Sequence, residues 1–556
     1  SSAASDVYKR QVSLLPAVAM AEEVTEDVID DSTIEAYTSY ENGEDAGVSG
    51  VSVTDEKPNT DIKVIPSDAN ALILMDTGAQ SPQGVPGQVV KIVLPLAVNK
   101  EYLPSEKYML RNINIYPDVP TDASVSNWPF ELIYASDVQH LKDMSYNSTA
   151  EVWFEFKISE FASKGRYAVP FKINATVWRE DAVNGTTITE DVTFTLTEPG
   201  QYSVEVGAEG YRNGLMIFAN PLEKDAPKSD DAAYRRVENA TAADMAALPA
   251  DRSGIYFARG VHDIGKYIVP AHVKNIYIPG DAYVYGTLVV ENNPGVRIFG
   301  RGTLSAARLP YRASHSIEAT GDSNGMVVEG ITIADFTHFS VRLITTNNRV
   351  EWVKTIGAWT YNCDGISVFH YSTVKNCFIW ANDDSIKVYR DGITFEDIVC
   401  WQLTNGNIIQ MAWNDADAKD VTVRRVDILH ADWNNNQFNR GVLGFVGNRY
   451  EYENNDNYLE NYLIEDVVTE TPVPVVLRVS PQAGYVSTVD GLTLRNWNVR
   501  QRDNGYKNYL YCSSPDHPFR NIVFDNFVFN GTKLTAQNWE QLMNMQTQFI
   551  ETPTFK

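Results

Sequence analysis

Asp364, Asp383 and Asp384 stand in W-T-Y-N-C-D-G-I-S-V-F-H-Y-S-T-V-K-N-C-F-I-W-A-N-D-D-S-I-K-V-Y-R, residues 359–390. Asp is depleted in strands, yet these three sit among strand-forming residues. Two adjacent carboxylates repel unless one is protonated or turned away. Turn formation explains Asn382-Asp383-Asp384-Ser385 as well as catalysis does, because Asn, Asp and Ser bond their own backbone. The surrounding repeat tips the reading towards catalysis. A carboxylate cluster suits glycoside hydrolysis: one carboxylic acid protonates the leaving oxygen and another carboxylate deprotonates water. Mutual repulsion raises at least one pKa and keeps a proton available.

The repeat is an eight-residue core, mostly apolar at positions one, three, six and eight, often with a polar pair at four and five. Copies begin at Met326, Ser372, Ile393, Val421, Tyr462, Leu492 and Ile522, with a degenerate copy read from Val350. The first five starts lie 24, 22, 21 and 28 residues apart, and the later spacings are 41, 30 and 30. A recurrence in the twenties with strand periodicity marks a solenoid. Each copy reads as two short strands joined by a bend. One coil cannot bury its apolar face alone, so coils stack roughly 4.8 Å apart. A parallel β-helix is the expectation. Asp364 precedes Asp383 by 19 residues and Asp384 by 20, close to one coil, so the three carboxylates should cluster on one outer face.

Other residues are candidates for the same cleft. Lys387 and Tyr389 alternate with the inward Ile386 and Val388. Gln410 could bond a sugar hydroxyl. Trp413, Trp433 and Phe445 could be sugar platforms, with buried packing an equal alternative for each. The segment 432–457, rich in Asn, Asp and aromatics, has the makings of a binding wall. His338, His370 and His430 are scattered and read as structural.

The chain has 556 residues, too many for one compact core. Residues 1–21 read as a secretory-signal remnant or extraneous residues, because Val12–Ala21 is apolar and ends in a small-residue A-M-A site. Residues 22–60 read as a flexible acidic leader. Short strands separated by turn clusters over 61–200 suggest an antiparallel β-sandwich. Glu198-Pro199-Gly200 is the expected boundary, and 201–556 the β-helix domain. Within it, Leu215–Pro221 reads as a buried strand and turn, and residues 240–248 as a short helix. A second helix is expected over 535–546, capped by Thr535, as a cover for the solenoid end.

Composition narrows the function. A formal charge of −26 argues against tracking nucleic-acid phosphates. No apolar run is long enough to span a bilayer. The 4 cysteines form neither a C-x-x-C pair nor a disulfide framework, so no zinc, other metal or cofactor is expected. Five N-x-S/T sequons begin at Asn147, Asn174, Asn184, Asn239 and Asn530. A monomer acting on a polysaccharide outside the cell is expected.

C-D-G at 363–365 and N-D-D-S-I-K-V-Y at 382–389 resemble glycoside hydrolase family 49, the dextranase and isopullulanase family. I-I-Q-M-A-W at 408–413, V-D-I-L-H at 426–430, L-M-I-F-A-N-P at 215–221 and segments between 281 and 305 are similar to family segments. The resemblance implies an all-β protein, an N-terminal β-sandwich followed by a right-handed parallel β-helix. It also implies hydrolysis of an α-glucan with inversion, Asp383 as general acid, and Asp364 and Asp384 holding the water. Polygalacturonases carry a similar D…DD pattern, which leaves galactan or pectin open as substrate. A β-helix lyase, with Lys387 or Arg390 as base, and a non-catalytic glycan-binding solenoid are the rival readings. An inverting pair should stand roughly 6.5–9.5 Å apart, and neighbouring coils leave room for that between Asp364 and Asp383.

Overall fold

The structure, a computed structural model, describes residues 13–16, 34–37, 72–76, 89–98, 108–117, 130–135, 148–158, 166–169, 171–179, 200–204, 215–221, 223 and 225–556, except 281, 359–360, 414–416, 434–438, 447–455, 481–485 and 513. It falls into two compact units, Ser1–Ala226 and Pro227–Lys556. The division comes later than the boundary expected at residue 200. The reason is a strand pair: Gly200–Val204 runs antiparallel to Leu215–Ala219, which ties the latter to the first unit.

In the first unit the pairings are antiparallel. Val89–Val98 pairs with Ser148–Ile158, which also pairs with Phe130–Ala135. Tyr108–Pro117 pairs with Phe171–Arg179, and Leu72–Asp76 with Arg166–Val169. Ser13–Pro16 pairs with Ile34–Tyr37, within the stretches read as signal remnant and leader. The side chains that would pack a sandwich lie outside the described residues.

The second unit is a parallel β-helix. Its strands form one continuous set, parallel throughout except for a terminal pair at Val528–Phe529 and Thr532–Lys533. Three ladders run along it. One carries the column Val328, Val350, Val374, Phe395 and Val423, each paired with the next and each buried. A second passes through Thr332–Ala334, Lys354–Ile356 and the later half of Thr373–Ala381. The third runs Val341–Leu343, Ile366–Val368, Ile386–Lys387, Ile409–Trp413 and Leu443–Val446.

The bend between the first two ladders explains the polar pair. Position five is left-handed in successive coils: Gly330 (φ 80°), Trp352 (56°), Asn376 (53°), Asp397 (59°), Arg425 (55°) and Asp466 (56°). Gly, Asn and Asp tolerate that region better than other residues. Trp352 and Arg425 do so without that preference.

Trp352 also corrects the degenerate copy. Val350 pairs with Val328 and Val374, both at position three, so this copy begins at Asn348 rather than Val350. An inward Asn hid the start. Asn348 is buried, and all its side-chain capacity is used. Nδ2 donates to the Thr345 carbonyl at 2.6 Å and to Ser372 Oγ at 3.2 Å. Oδ1 accepts from Met326 N at 3.1 Å and Thr345 Oγ1 at 3.2 Å.

The ends are closed by small elements. The helix Ala242–Ala246 starts with a capping box between Thr241 and Asp244 and buries Met245. The helix expected over 535–546 is shorter. It spans Trp539–Leu542, and Asn538, not Thr535, stands at its N-terminus. Met545–Gln548 returns to strand and joins the third ladder beside Asn508–Tyr511. Trp539 packs against Phe524 and Phe555, with ring centroids 5.9 and 5.8 Å away.

Replacing Asn348 by Ala leaves the Met326 N–H and the Thr345 carbonyl without their buried partner. A loss on the order of 2 kcal/mol or more is expected, read as a lower urea midpoint. An unchanged midpoint would show that this polar step in the stack carries no stability.

Candidate active site

The acidic pair lies in the turn between Thr373–Ala381 and Ile386–Lys387. The next coil cradles that turn. Gln402 Nε2 donates to the Asp383 carbonyl at 2.8 Å, and Ser385 Oγ donates to Gln402 Oε1 at 2.5 Å. Thr404 donates from N and Oγ1 to Asn382 Oδ1, both at 3.2 Å. Gly406, at φ +83°, passes so close that an added Cβ would stand 2.1 Å from Asp383 C and 2.3 Å from Asp384 N. Only glycine fits that approach at that φ. Gly365 plays a similar part: a Cβ there would meet the Ser385 carbonyl at 2.3 Å.

Asp364 comes from the preceding coil. Ile366 pairs with Ile386, and Gly365 N donates to the Asp384 carbonyl at 2.9 Å. The 20-residue offset is therefore the stacked one, which aligns Asp364 with Asp384. The turn also answers which way Asp384 points. An uninterrupted strand would send it inward, but the turn leaves its carboxylate on the side of Lys387.

Lys387 Nζ lies 2.7 Å from Asp364 Oδ2 and 2.5 Å from Asp384 Oδ2. Asp384 Oδ1 accepts from Asn407 N at 2.9 Å and Gln410 Nε2 at 3.2 Å. Asp383 Oδ1 accepts from Asp384 N at 3.0 Å. Its Oδ2 accepts from Asn362 Nδ2 at 3.2 Å and Asn405 Nδ2 at 2.7 Å. The three aspartates and Lys387 are all buried. Oxygens of the three carboxylates come within 4.8 Å of one another, close enough to share a cation, and the Lys387 ammonium is the cation in place. Lys387 draws Asp364 and Asp384 together, and chain adjacency holds Asp383 beside them.

The electrostatics divide the trio. Burial pushes Asp383 up to about 6, and the Asp384 charge adds to the rise while Lys387 opposes it. Burial also raises Asp364 well above the usual range, against the pull of Lys387. Burial alone would lower Lys387, but Asp364 and Asp384 more than offset it and hold the ammonium charged.

Several sequence candidates take other places. Gln410 is buried and its amide is committed. It donates to Asp384 and, at 2.6 Å, to Asn439 Oδ1, and accepts from Asn407 Nδ2 at 3.2 Å. It supports Asp384 and has no free reach to a sugar hydroxyl. Trp433 is also buried, with Nε1 donating to the Gly406 carbonyl at 2.8 Å, so it packs the turn instead of offering a platform. Phe445 is buried near Phe519. Tyr389 is half-buried, 6.4 Å from the Phe369 ring, with Arg390 over it. The Trp413 side chain and much of the 432–457 segment lie outside the described residues.

Sequence reading missed Asn362, Asn405, Asn407 and Arg440. Coil spacing was the available signal, since T-N-G-N at 404–407 falls one coil after N-D-D. It also missed the tyrosines flanking Asn362, Tyr311 (52% exposed) through its hydroxyl and Tyr361 (55%) in the chain. His338, read as structural, stacks on His315 at 4.2 Å. The four cysteines are buried.

The fold and site together define a class: a parallel β-helix protein with three buried carboxylates around one lysine on its third ladder. By sequence the chain is similar to dextranases and to an isopullulanase. It is 24% identical over 379 residues to a dextranase of Arthrobacter sp. (strain CB-8), covering 59% of this chain and 58% of that protein. It is 21% identical over 332 residues to the isopullulanase of Aspergillus niger, covering 53% and 58%. The match thus spans less than two thirds of these relatives' length. No family model matches the chain. Among solved structures, Dex49A from Penicillium minioluteum aligns with 91% of this chain and 88% of its own at 16% identity, TM-score 0.48. A polygalacturonase from Erwinia carotovora ssp. carotovora aligns with 60% of this chain and 98% of its own at 10% identity, TM-score 0.40.

Replacing Lys387 by Met leaves Asp364 and Asp384 buried without a counter-charge. Breaking a buried pair in this way costs about 3–5 kcal/mol. The carboxylates can escape by binding protons, so the deficit should shrink as pH falls and grow as pH rises. Chemical denaturation of both proteins at pH 5 and pH 8 measures this. An equal deficit at the two values would mean that Lys387 acts by packing alone.

Proposed function

We propose that this protein is a secreted, inverting glycoside hydrolase that cuts an α-glucan, such as dextran or pullulan, within the chain. The observation that carries the reading is Asp383, a buried carboxyl held up at about 6 beside two carboxylates tied to Lys387. Asp383 gives its proton to the glycosidic oxygen as the bond from that oxygen to the anomeric carbon breaks. A water that loses a proton to Asp364 or Asp384 attacks the same carbon. The α-glucan class is supported by the names of the relatives, dextranases and an isopullulanase. We infer a monomer whose first unit is a β-sandwich without catalytic residues.

The acid role makes a directional claim. Asp383 must be protonated in the free enzyme, so kcat/KM should fall as pH rises through about 6. Asp383→Asn keeps the shape and removes the acid. Turnover of dextran or pullulan, read as new reducing ends, should drop by roughly 10²–10⁴-fold. A glucosyl fluoride, whose leaving group needs no proton, should suffer much less, whereas Asp364→Asn and Asp384→Asn should damage both substrates. Equal loss on both substrates for Asp383→Asn would remove the acid assignment. Wild-type protein that releases an unsaturated, ultraviolet-absorbing product would instead be a lyase.

Retention is the alternative stereochemical outcome. NMR of the first-formed product separates the two. We expect the inverted anomer, and a retained one would turn one carboxylate into a nucleophile.

A further inference from the structure

Asp383's two oxygens are loaded unequally. Oδ1 accepts one hydrogen bond, from Asp384 N. Oδ2 accepts two, from the side-chain amides of Asn362 and Asn405. Each amide is itself held through its carbonyl oxygen. Tyr311 Oη donates to Asn362 Oδ1 at 2.7 Å, and Arg440 Nη2 donates to Asn405 Oδ1 at 3.2 Å. An amide held in this way cannot turn its oxygen towards Asp383 without losing a bond. Two relays from distant parts of the chain therefore end on one carboxylate oxygen. Two donors fill the lone pairs of Oδ2, whereas Oδ1 keeps one free.

We propose that Asn362 and Asn405 are positioning residues for Asp383, fixed in orientation by Tyr311 and Arg440, and that they leave Oδ1 as the oxygen carrying the transferable proton. This rests on Asp383 being the acid of the reaction proposed above. The proton leaves Oδ1 for the glycosidic oxygen, and the carboxylate that remains gains full strength from both amides. Hydrogen bonds of this kind favour the ionised form, so the relays restrain the upward push of burial. The charged groups facing Asp383 are Asp384 and Lys387, Asp364 from the preceding coil and Arg440 from the segment before Leu443–Val446.

The test compares Asn362→Leu, Asn405→Leu and the milder Tyr311→Phe with wild type. In the first two, the basic limb of the kcat/KM profile on dextran or pullulan should move upward by on the order of half a unit to one unit per bond lost. Tyr311→Phe keeps the ring and frees the Asn362 amide to turn, so its limb should move in the same direction by less. The same movement should show without substrate. A raised carboxylate costs stability as pH climbs from its unfolded to its folded pKa, so wild type should lose stability relative to Asp383→Asn between about pH 4 and 6, and that loss should continue to higher pH and grow larger in each relay background. Lower kcat with no movement in either measurement overturns the proposal and reduces the asparagines to packing. Movement in the stability measurement, with no glucan cleaved by wild type, would sink the hydrolase reading and leave the relays standing.

Discussion

A single ammonium group is shared between carboxylates from two coils, with almost no solvent around it. Lys387 Nζ reaches Asp364 on one coil and Asp384 on the next at hydrogen-bonding distance. Neither carboxylate could stay ionised at that depth alone, because burying an unpaired charge costs several kcal/mol. The arrangement has more negative groups than positive ones, and that imbalance is useful. One lysine cannot neutralise three aspartates, so proton affinity rises at Asp383 and, despite its bond to the lysine, at Asp364. Asp383 is the one of the three without a bond to Lys387, and it has instead two amides and a backbone N–H.

Coil register delivers those groups to one place. The parallel ladder stacks Asp364, Asp384 and Asn407 at equivalent positions in successive turns, joined by Gly365 N to Asp384 O and Ser385 N to Asn407 O. Lys387 stands between Ser367 and Gln410 in the same ladder. A stack of this kind converts sequence spacing into lateral distance, and one inserted residue would break the site. It also explains why the acidic turn can be tight. The Asp383–Asp384 peptide leans on Gly406 of the next coil, and the glycine removes the side chain that would have pushed the turn away.

The coils also carry buried polar steps that an apolar pattern does not foresee. Asn348 fills an inward position through four side-chain hydrogen bonds. Gln410 and Gln402 do comparable work around the acidic turn. Each is tolerable because the adjacent coils supply partners at fixed height. Where every donor and acceptor is satisfied, as at Asn348, such a step favours a single arrangement.

The sequence by itself determined the solenoid and the identity of its acidic trio. Both are written in local periodicity: apolar alternation, a bend every coil, and aspartates one coil apart. Tertiary structure alone decided how the trio is wired. Nothing in N-D-D-S-I-K announces that Lys387 spans two coils, that Asp364 aligns with Asp384 and not with Asp383, or that Gln410 and Trp433 are buried supports. Asn362 and Asn405 lie 43 residues apart and meet on one oxygen only because the chain winds back at the same height. Periodicity fixes which residues share a face. Which atom meets which depends on turn geometry and on the side chains of neighbouring coils, and those contacts exist only once the coils are stacked.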